Sequence, residues 1–333
     1  MKDVAVHEAS SALRASRNDE PSAVNTGVSS VINRGLRRRA ATFWLNGFFG
    51  ACRRFPKLVR GGRSFFVWGA TACSRQIRNA TTANARRILG PDASDQQCEA
   101  FAGAVTGHFY DFVADVGHAV SLTPGQMYAR VSHVEGLERY QAARAAKRGA
   151  IVVTAHMGSF EVGLAALRHY EQRVHVVFRR DPEDGFDQIR QQLRERLGVI
   201  EAPVEEGWGL WMRLRDALMA DEVVVVQGDR VMPGQKGERV KMFDAHVELP
   251  TGPVKLAQAS GAPLVPIFSL REPDGSIRIV IEDAIDVAAQ DADPMQQLAG
   301  VLEKHVRARP EQWLRFEPAF CEDRQSAERG GHS

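Results

Sequence analysis

Residues 150–163 read AIVVTAHMGSFEVG, and this stretch decides the fold. Its first half, Ile151, Val152, Val153 and Thr154, is β-branched without polar alternation, as in a strand covered on both faces of a parallel sheet. Its second half turns through Gly158 and Ser159 into a segment, Phe160 to Tyr170, that reads as a helix. Strand, tight turn and helix form the repeating unit of α/β proteins, whose ligands bind outside the carboxyl ends of the strands. His156 stands at such an end.

The same alternation continues downstream. Further strands are predicted at Val174 to Phe178, Val223 to Gln227, Leu264 to Phe268 and Ile277 to Ile281, and Lys241 to Leu249 reads as a strand or hairpin arm. Helices are predicted at Phe186 to Leu197, Gly209 to Ala220 and Pro253 to Ser260. The expected fold is α/β, a mostly parallel central sheet flanked by helices and preceded by an N-terminal helical region. In that region Ile77, Thr81, Ala85 and Ile88, then Phe101, Val105, Phe109, Phe112 and Val116, recur at helical steps on either side of Gly90 and Pro91. Ser94 and Gln97 have the spacing of a capping box.

This divides the chain into a disordered leader over residues 1–40, N-terminal helices over 41–133, a catalytic core over 134–320 and a disordered tail over 321–333. The first 33 residues are rich in Ser, Ala, Asn and charge and lack the apolar run of a secretory signal. No apolar run approaches the roughly 20 residues that span a bilayer. Cys52, Cys73, Cys98 and Cys321 show neither metal-ligand spacing nor a disulfide framework, so no metal is expected and the thiols read as small reduced hydrophobes.

Charge is unevenly spread. No Asp or Glu occurs between Glu20 and Asp92, while that interval holds thirteen Arg and Lys. A basic stretch of this kind is either a solvated surface or a face for nucleic acid or anionic lipid. Lipid is favoured over nucleic acid, because Phe43, Trp44, Leu45, Phe48, Phe49, Phe55, Leu58, Phe65, Phe66 and Trp68 lie among the cations and can sink into a headgroup layer.

The chemistry centres on His156. A neutral imidazole, with an ordinary pKa of about 6.5, can take a hydroxyl proton at physiological pH, and a carboxylate on its other nitrogen would fix the tautomer. Glu161, five residues on, is the candidate for that carboxylate. Gly158 would let the turn close, and Ser159 would cap the helix. Elbows of the Gly-x-Ser-x-Gly type, zinc helices and phosphate loops are missing from the sequence, so direct attack by a substrate hydroxyl suits the pair better than a protein nucleophile.

His156 followed by Gly158, Ser159, Phe160 and Glu161 resembles the His-x4-Asp/Glu motif of the lysophospholipid acyltransferase superfamily, and within it the bacterial lipid A biosynthesis acyltransferases. The order of further segments resembles the same family: Val134 to Glu138, Phe178-Arg179-Arg180, Gln227-Gly228-Asp229-Arg230, Pro250-Thr251-Gly252-Pro253, Gly261 to Pro266, and Pro310-Glu311-Gln312-Trp313. Ser159-Phe160 stand where the family often carries Asn-Trp, which leaves the acceptor open among glycolipids and phospholipids.

The resemblance implies a glycerolipid acyltransferase-like fold and an O-acyltransferase that uses no cofactor. Its co-substrate would be an acyl thioester on acyl carrier protein or coenzyme A. His156 would deprotonate the acceptor and Glu161 would orient His156. Arg179 would bind phosphate or steady the oxyanion. Asp229 would anchor an arginine or the acceptor, or buttress a loop. Thr251 and Gly252, at a helix start, would offer backbone N–H groups to a phosphate. The protein would sit peripherally on the cytoplasmic face of the inner membrane. Hydrolysis of the thioester by the same residues, and a non-catalytic lipid or carrier-protein binder, are the alternatives.

Overall fold

The computed structural model describes residues 45–180, 184–289 and 291–323. The expected leader, with Phe43 and Trp44, and the end of the tail lie outside the described residues. The strands are β1 (Val131–Glu135), β2 (Ala150–Thr154), β3 (Val174–Phe178), β4 (Ile200–Pro203), β5 (Val223–Gln227), β6 (Gly237–Met242), β7 (Ala245–Pro250), β8 (Leu264–Arg271) and β9 (Ile277–Ile281). Seven of them form one sheet in the order β1-β9-β8-β2-β5-β3-β4, parallel throughout except where β8 meets β9. The expected mostly parallel α/β sheet is therefore present.

The helices are α1 (residues 45–54), α2 (Pro56–Cys73), α3 (Arg75–Leu89), α4 (Asp95–Ala119), α5 (Pro124–Tyr128), α6 (Leu137–Arg144), α7 (Phe160–Tyr170), α8 (Asp184–Leu197), α9 (Trp208–Met219), α10 (Gly252–Ser260) and α11 (Pro294–Ala308). They cover the sheet on both faces. Ile151, Val153, Val224 and Val226 face one core with Leu210, Leu214 and Leu218 of α9 and Leu298 and Leu302 of α11. Val152, Val223 and Val225 face the other, with Val162 and Ala165 of α7, Leu193 of α8 and Phe112 and Val116 of α4. Alternate valines thus enter opposite cores, which is why these strands show no polar alternation. Each buried valine contributes about 1.5–3 kcal/mol relative to exposure.

Two strands escape the sequence reading. β1 and β4 are the sheet's edges, and β1 has one face open to solvent, so neither carries a long apolar run. The arm at 241–249 is a two-stranded hairpin, β6 with β7, turning at Phe243 and Asp244. Upstream, the capping box at Ser94 and Gln97 forms, with both reciprocal hydrogen bonds. The helical stretch before it is broken at Ser74, whose hydroxyl accepts from Ile77 N–H and starts α3. Cys52 and Cys98 are buried small hydrophobes, whereas Cys73 is exposed.

Beyond α11 the chain crosses back over the sheet edge. Asn84, buried in α3, holds this return: its amide donates to the carbonyls of Arg315 and Glu317, and its oxygen accepts from Ala319 N–H at 2.8 Å. The packed chain continues to Asp323, which pairs with Arg87, and to Glu322, which pairs with His246 at 2.8 Å.

Candidate active site

β2 delivers the chain to the carboxyl edge of the sheet, and the turn after it is held from three sides. Gly158 N–H donates to Gln312 O at 3.0 Å, Ser159 N–H donates to Ser269 O at 2.9 Å, and His156 O accepts from Leu314 N–H at 2.8 Å. Gly158 has φ +60°, and a Cβ there would lie 2.2 Å from the Ser269 carbonyl oxygen. Only glycine fits such a left-handed position against a backbone wall. Ser159 is buried but does not cap α7; its hydroxyl donates to Asp115 of α4 at 2.6 Å, and Asp115 also accepts from Arg130 and Arg271. Three donors on one carboxylate outcompete the expected cap.

The partner of the His156 ring is Asp229, with Nδ1 to Oδ1 at 2.7 Å. Register explains this. Thr154 and Gln227 are paired across β2 and β5, so residues two further along each strand leave the sheet side by side. Asp229 is buried, and its other oxygen, Oδ2, accepts from the Trp313 indole N–H at 3.0 Å. Its backbone carbonyl accepts from Arg315 at 2.6 Å.

The electrostatics favour a charged carboxylate and a neutral imidazole. Burial pushes the His156 pKa below its ordinary value, a shift that outweighs the opposing pull of Asp229. Burial would raise the Asp229 carboxyl, but the His156 contact, with Arg230 and Arg315 behind it, holds it far below the usual carboxylate range. An ionised Oδ1 accepts, so Nδ1 carries the proton and Nε2 keeps its lone pair. The ring retains 24% of its side-chain surface, enough for a substrate hydroxyl to approach.

Glu161 does not orient His156. It lies buried in the first turn of α7 and pairs with Arg190 of α8, whose Nε donates to Oε1 at 2.6 Å. Placed on the helix rather than on a neighbouring strand, it meets α8 instead of the imidazole. Its Oε2 is buried and makes no hydrogen bond. Arg179, at the end of β3, is partly exposed and donates to the Pro233 carbonyl at 3.2 Å, with Glu205 at 4.0 Å. Thr251 makes no side-chain cap to α10; its N–H and hydroxyl both go to the Lys236 carbonyl. Gly252 lies against Trp211, 3.1 Å from where a Cβ would sit. The structure thus joins His156 and Asp229 directly and sets Glu161 beside them through Arg190. Arg179, Thr251 and Gly252 are engaged with other neighbours.

Sequence reasoning gave no role to Arg190, Trp313, Arg315 or Asp115. Pro310 to Trp313 stood out only as a motif, and nothing in its spacing connects it to a strand end more than eighty residues earlier.

A family model for the bacterial lipid A biosynthesis acyltransferases matches residues 36–321. The chain belongs to this family. It is similar to the phosphatidylinositol mannoside acyltransferase of Mycobacterium tuberculosis, 27% identical over 193 residues that cover 57% of this chain and 60% of that protein. The protein of the same name from Mycolicibacterium smegmatis is 26% identical over 182 residues, covering 54% of this chain and 59% of its own length. The chain thus matches less than two thirds of either relative's length.

Proposed function

We propose that the protein transfers a fatty acyl chain from an acyl thioester to a hydroxyl of a glycolipid or phospholipid, with His156 as general base. The observation that carries this reading is the His156–Asp229 contact at the sheet's carboxyl edge, which leaves Nε2 unprotonated. The acceptor O–H gives its proton to Nε2 as its oxygen attacks the thioester carbonyl carbon. A tetrahedral oxyanion forms, its C–S bond breaks, and the departing thiolate takes the proton from the imidazolium. Asp229 stabilises the imidazolium in between. No acyl-enzyme intervenes.

The donor is an acyl carrier protein or coenzyme A thioester, both of which present phosphate beside the thiol arm. Arg179, with its partly exposed guanidinium, is assigned to that phosphate or to one on the acceptor. The acceptor is a sugar- or phosphate-bearing lipid, a class that includes mannosylated phosphatidylinositol, which the relatives' names point to.

Membrane contact is assigned to α2. Phe55, Leu58, Phe65 and Trp68 are exposed on or beside it at 56%, 72%, 76% and 66%, an unusual density of large apolar groups facing solvent. Arg53, Arg54, Lys57 and Arg60 stand among them without an acidic residue nearby in sequence. Among the described residues no helix is long and apolar enough to cross a membrane, so this face supports peripheral attachment on the side that supplies the thioester.

The test is product analysis with a labelled acyl thioester and a total lipid extract. Acylated lipid that disappears in His156→Ala is expected. Free fatty acid without acylated lipid would make the protein a thioester hydrolase instead.

A further inference from the structure

Asp229 has two carboxylate oxygens and each has one short polar partner: His156 Nδ1 on Oδ1 at 2.7 Å and Trp313 Nε1 on Oδ2 at 3.0 Å. A carboxylate held through one oxygen alone can still rotate, and Arg230 Nε waits 3.8 Å from Oδ2. The indole N–H removes that freedom. Trp313 is itself immobilised, being 2% exposed and bridged through its backbone to Met157. The residues on either side of it hold the other half of the pair: Gln312 O accepts from Gly158 N–H, and Leu314 N–H donates to His156 O. One three-residue segment therefore fixes the backbone that carries the imidazole and the carboxylate that faces it.

We propose that Trp313 is a positioning residue, whose indole N–H locks Asp229 with Oδ1 toward His156 and thereby sets the imidazole tautomer that leaves Nε2 free. The catalytic meaning of this lock rests on the general-base reading of His156. The other charged groups around the pair are Arg230 and Arg315 on the Asp229 side, Glu317 bonded to both of them, and Arg190 with Glu161 on the His156 side. Trp313→Phe removes the donor and keeps an aromatic ring for Arg315, which lies 5.5 Å over the indole. A carboxylate free to turn toward Arg230 spends part of its time away from Nδ1 and stabilises the imidazolium less, so His156 should titrate at lower pH.

The experiment is nitrogen-15 NMR of the full chain labelled at histidine and tryptophan, beside steady-state acyl transfer. In the unsubstituted protein His156 is expected as the Nδ1–H tautomer. The Trp313 indole proton is expected downfield, slow to exchange and displaced in Asp229→Asn. In Trp313→Phe the His156 resonances should show mixed tautomers and a titration midpoint lowered by about half to one pH unit. kcat should fall about tenfold or more with KM unchanged. A Trp313→Phe protein with the tautomer and midpoint of the parent would overturn the proposal. So would an indole proton in the parent that exchanges as fast as that of exposed Trp208, an observation that does not depend on the variant folding. If the NMR changes occur but the parent transfers no acyl group to lipid, the lock stands and the general-base reading fails.

Discussion

Thr154 and Gln227 face each other in register across β2 and β5, and two residues beyond each of them the chain carries His156 and Asp229. The dyad is a consequence of that register. Parallel strands that leave the sheet together bring their next residues to the same place, and the 2.7 Å contact follows. A one-residue slip of β5 would turn Asp229 away.

Asp229 and Glu161 should therefore separate by substitution. Asp229→Asn keeps the shape but offers Nδ1 a poorer partner and removes the charge that stabilises the imidazolium. A loss of about a thousandfold or more in kcat is expected, by comparison with the loss of the orienting acid in hydrolytic triads. Glu161→Gln weakens the pair with Arg190, whose side chain is 14% exposed, and should cost stability of about 1–3 kcal/mol. Steady-state kinetics beside urea melts distinguish the two patterns. Equal losses of kcat with no change in stability would contradict the assignment.

Activity should persist below the ordinary histidine pKa. Because burial lowers the His156 pKa, the neutral base survives to lower pH, and the acid limb of kcat/KM should fall below about 6.5. Asp229→Asn removes the charge that pulls the other way, so its limb should move lower still. The stability sign follows by linkage. The unfolded chain binds this proton near 6.5 and the native chain only further down, so the stability due to His156 is full above that pH and is lost as pH falls through the native value. Urea midpoints between about pH 8 and pH 5 should decline less in His156→Asn.

Gly158→Ala should damage the site more than its size suggests. The added methyl meets the Ser269 carbonyl oxygen at 2.2 Å in a backbone with φ +60°. The turn must shift, taking His156 with it. A stability loss of about 1–3 kcal/mol is expected from the backbone conformation alone, together with a fall in kcat. Thermal unfolding and turnover measured on the same preparation check both.

The α2 face should govern attachment to lipid and leave the fold intact. Replacing Phe65 and Trp68 by Ser removes two of its most exposed large apolar side chains. Co-sedimentation with vesicles containing phosphatidylglycerol should fall sharply at unchanged melting temperature. Binding by the parent chain should weaken as salt screens the arginines. Unaltered co-sedimentation would move the membrane contact elsewhere.

Asn84→Ala should loosen the return of the chain over the site. It removes the acceptor that Asn84 offers to Ala319 N–H and the donor it offers to the Arg315 and Glu317 carbonyls. A cost of about 2–4 kcal/mol is expected for these groups together. Proteolysis should then cut first in the segment after Arg309. Uniform resistance along the chain would count against the tie.

The α/β fold could be read directly from sequence because unbroken valine runs admit few other structures. Ile151 to Thr154 and Val223 to Val226 must be covered on both faces, and helices on both sides of a parallel sheet do that. The edge strands β1 and β4 were hidden because one covered face, or four residues, leaves little pattern.

The strand-end position of His156 and the left-handed turn at Gly158 were equally legible, since local chemistry dictates both. Which carboxylate serves the imidazole was not. Glu161 is five residues away and Asp229 seventy-three, yet strand pairing brings the distant one within 2.7 Å and helix geometry turns the near one toward Arg190. The sequence by itself determined the sheet, the turn and the strand-end place of His156. The tertiary structure alone decided that Asp229 meets the His156 ring and that Trp313 in turn holds Asp229, because register and chain return are long-range packing outcomes that linear spacing does not encode.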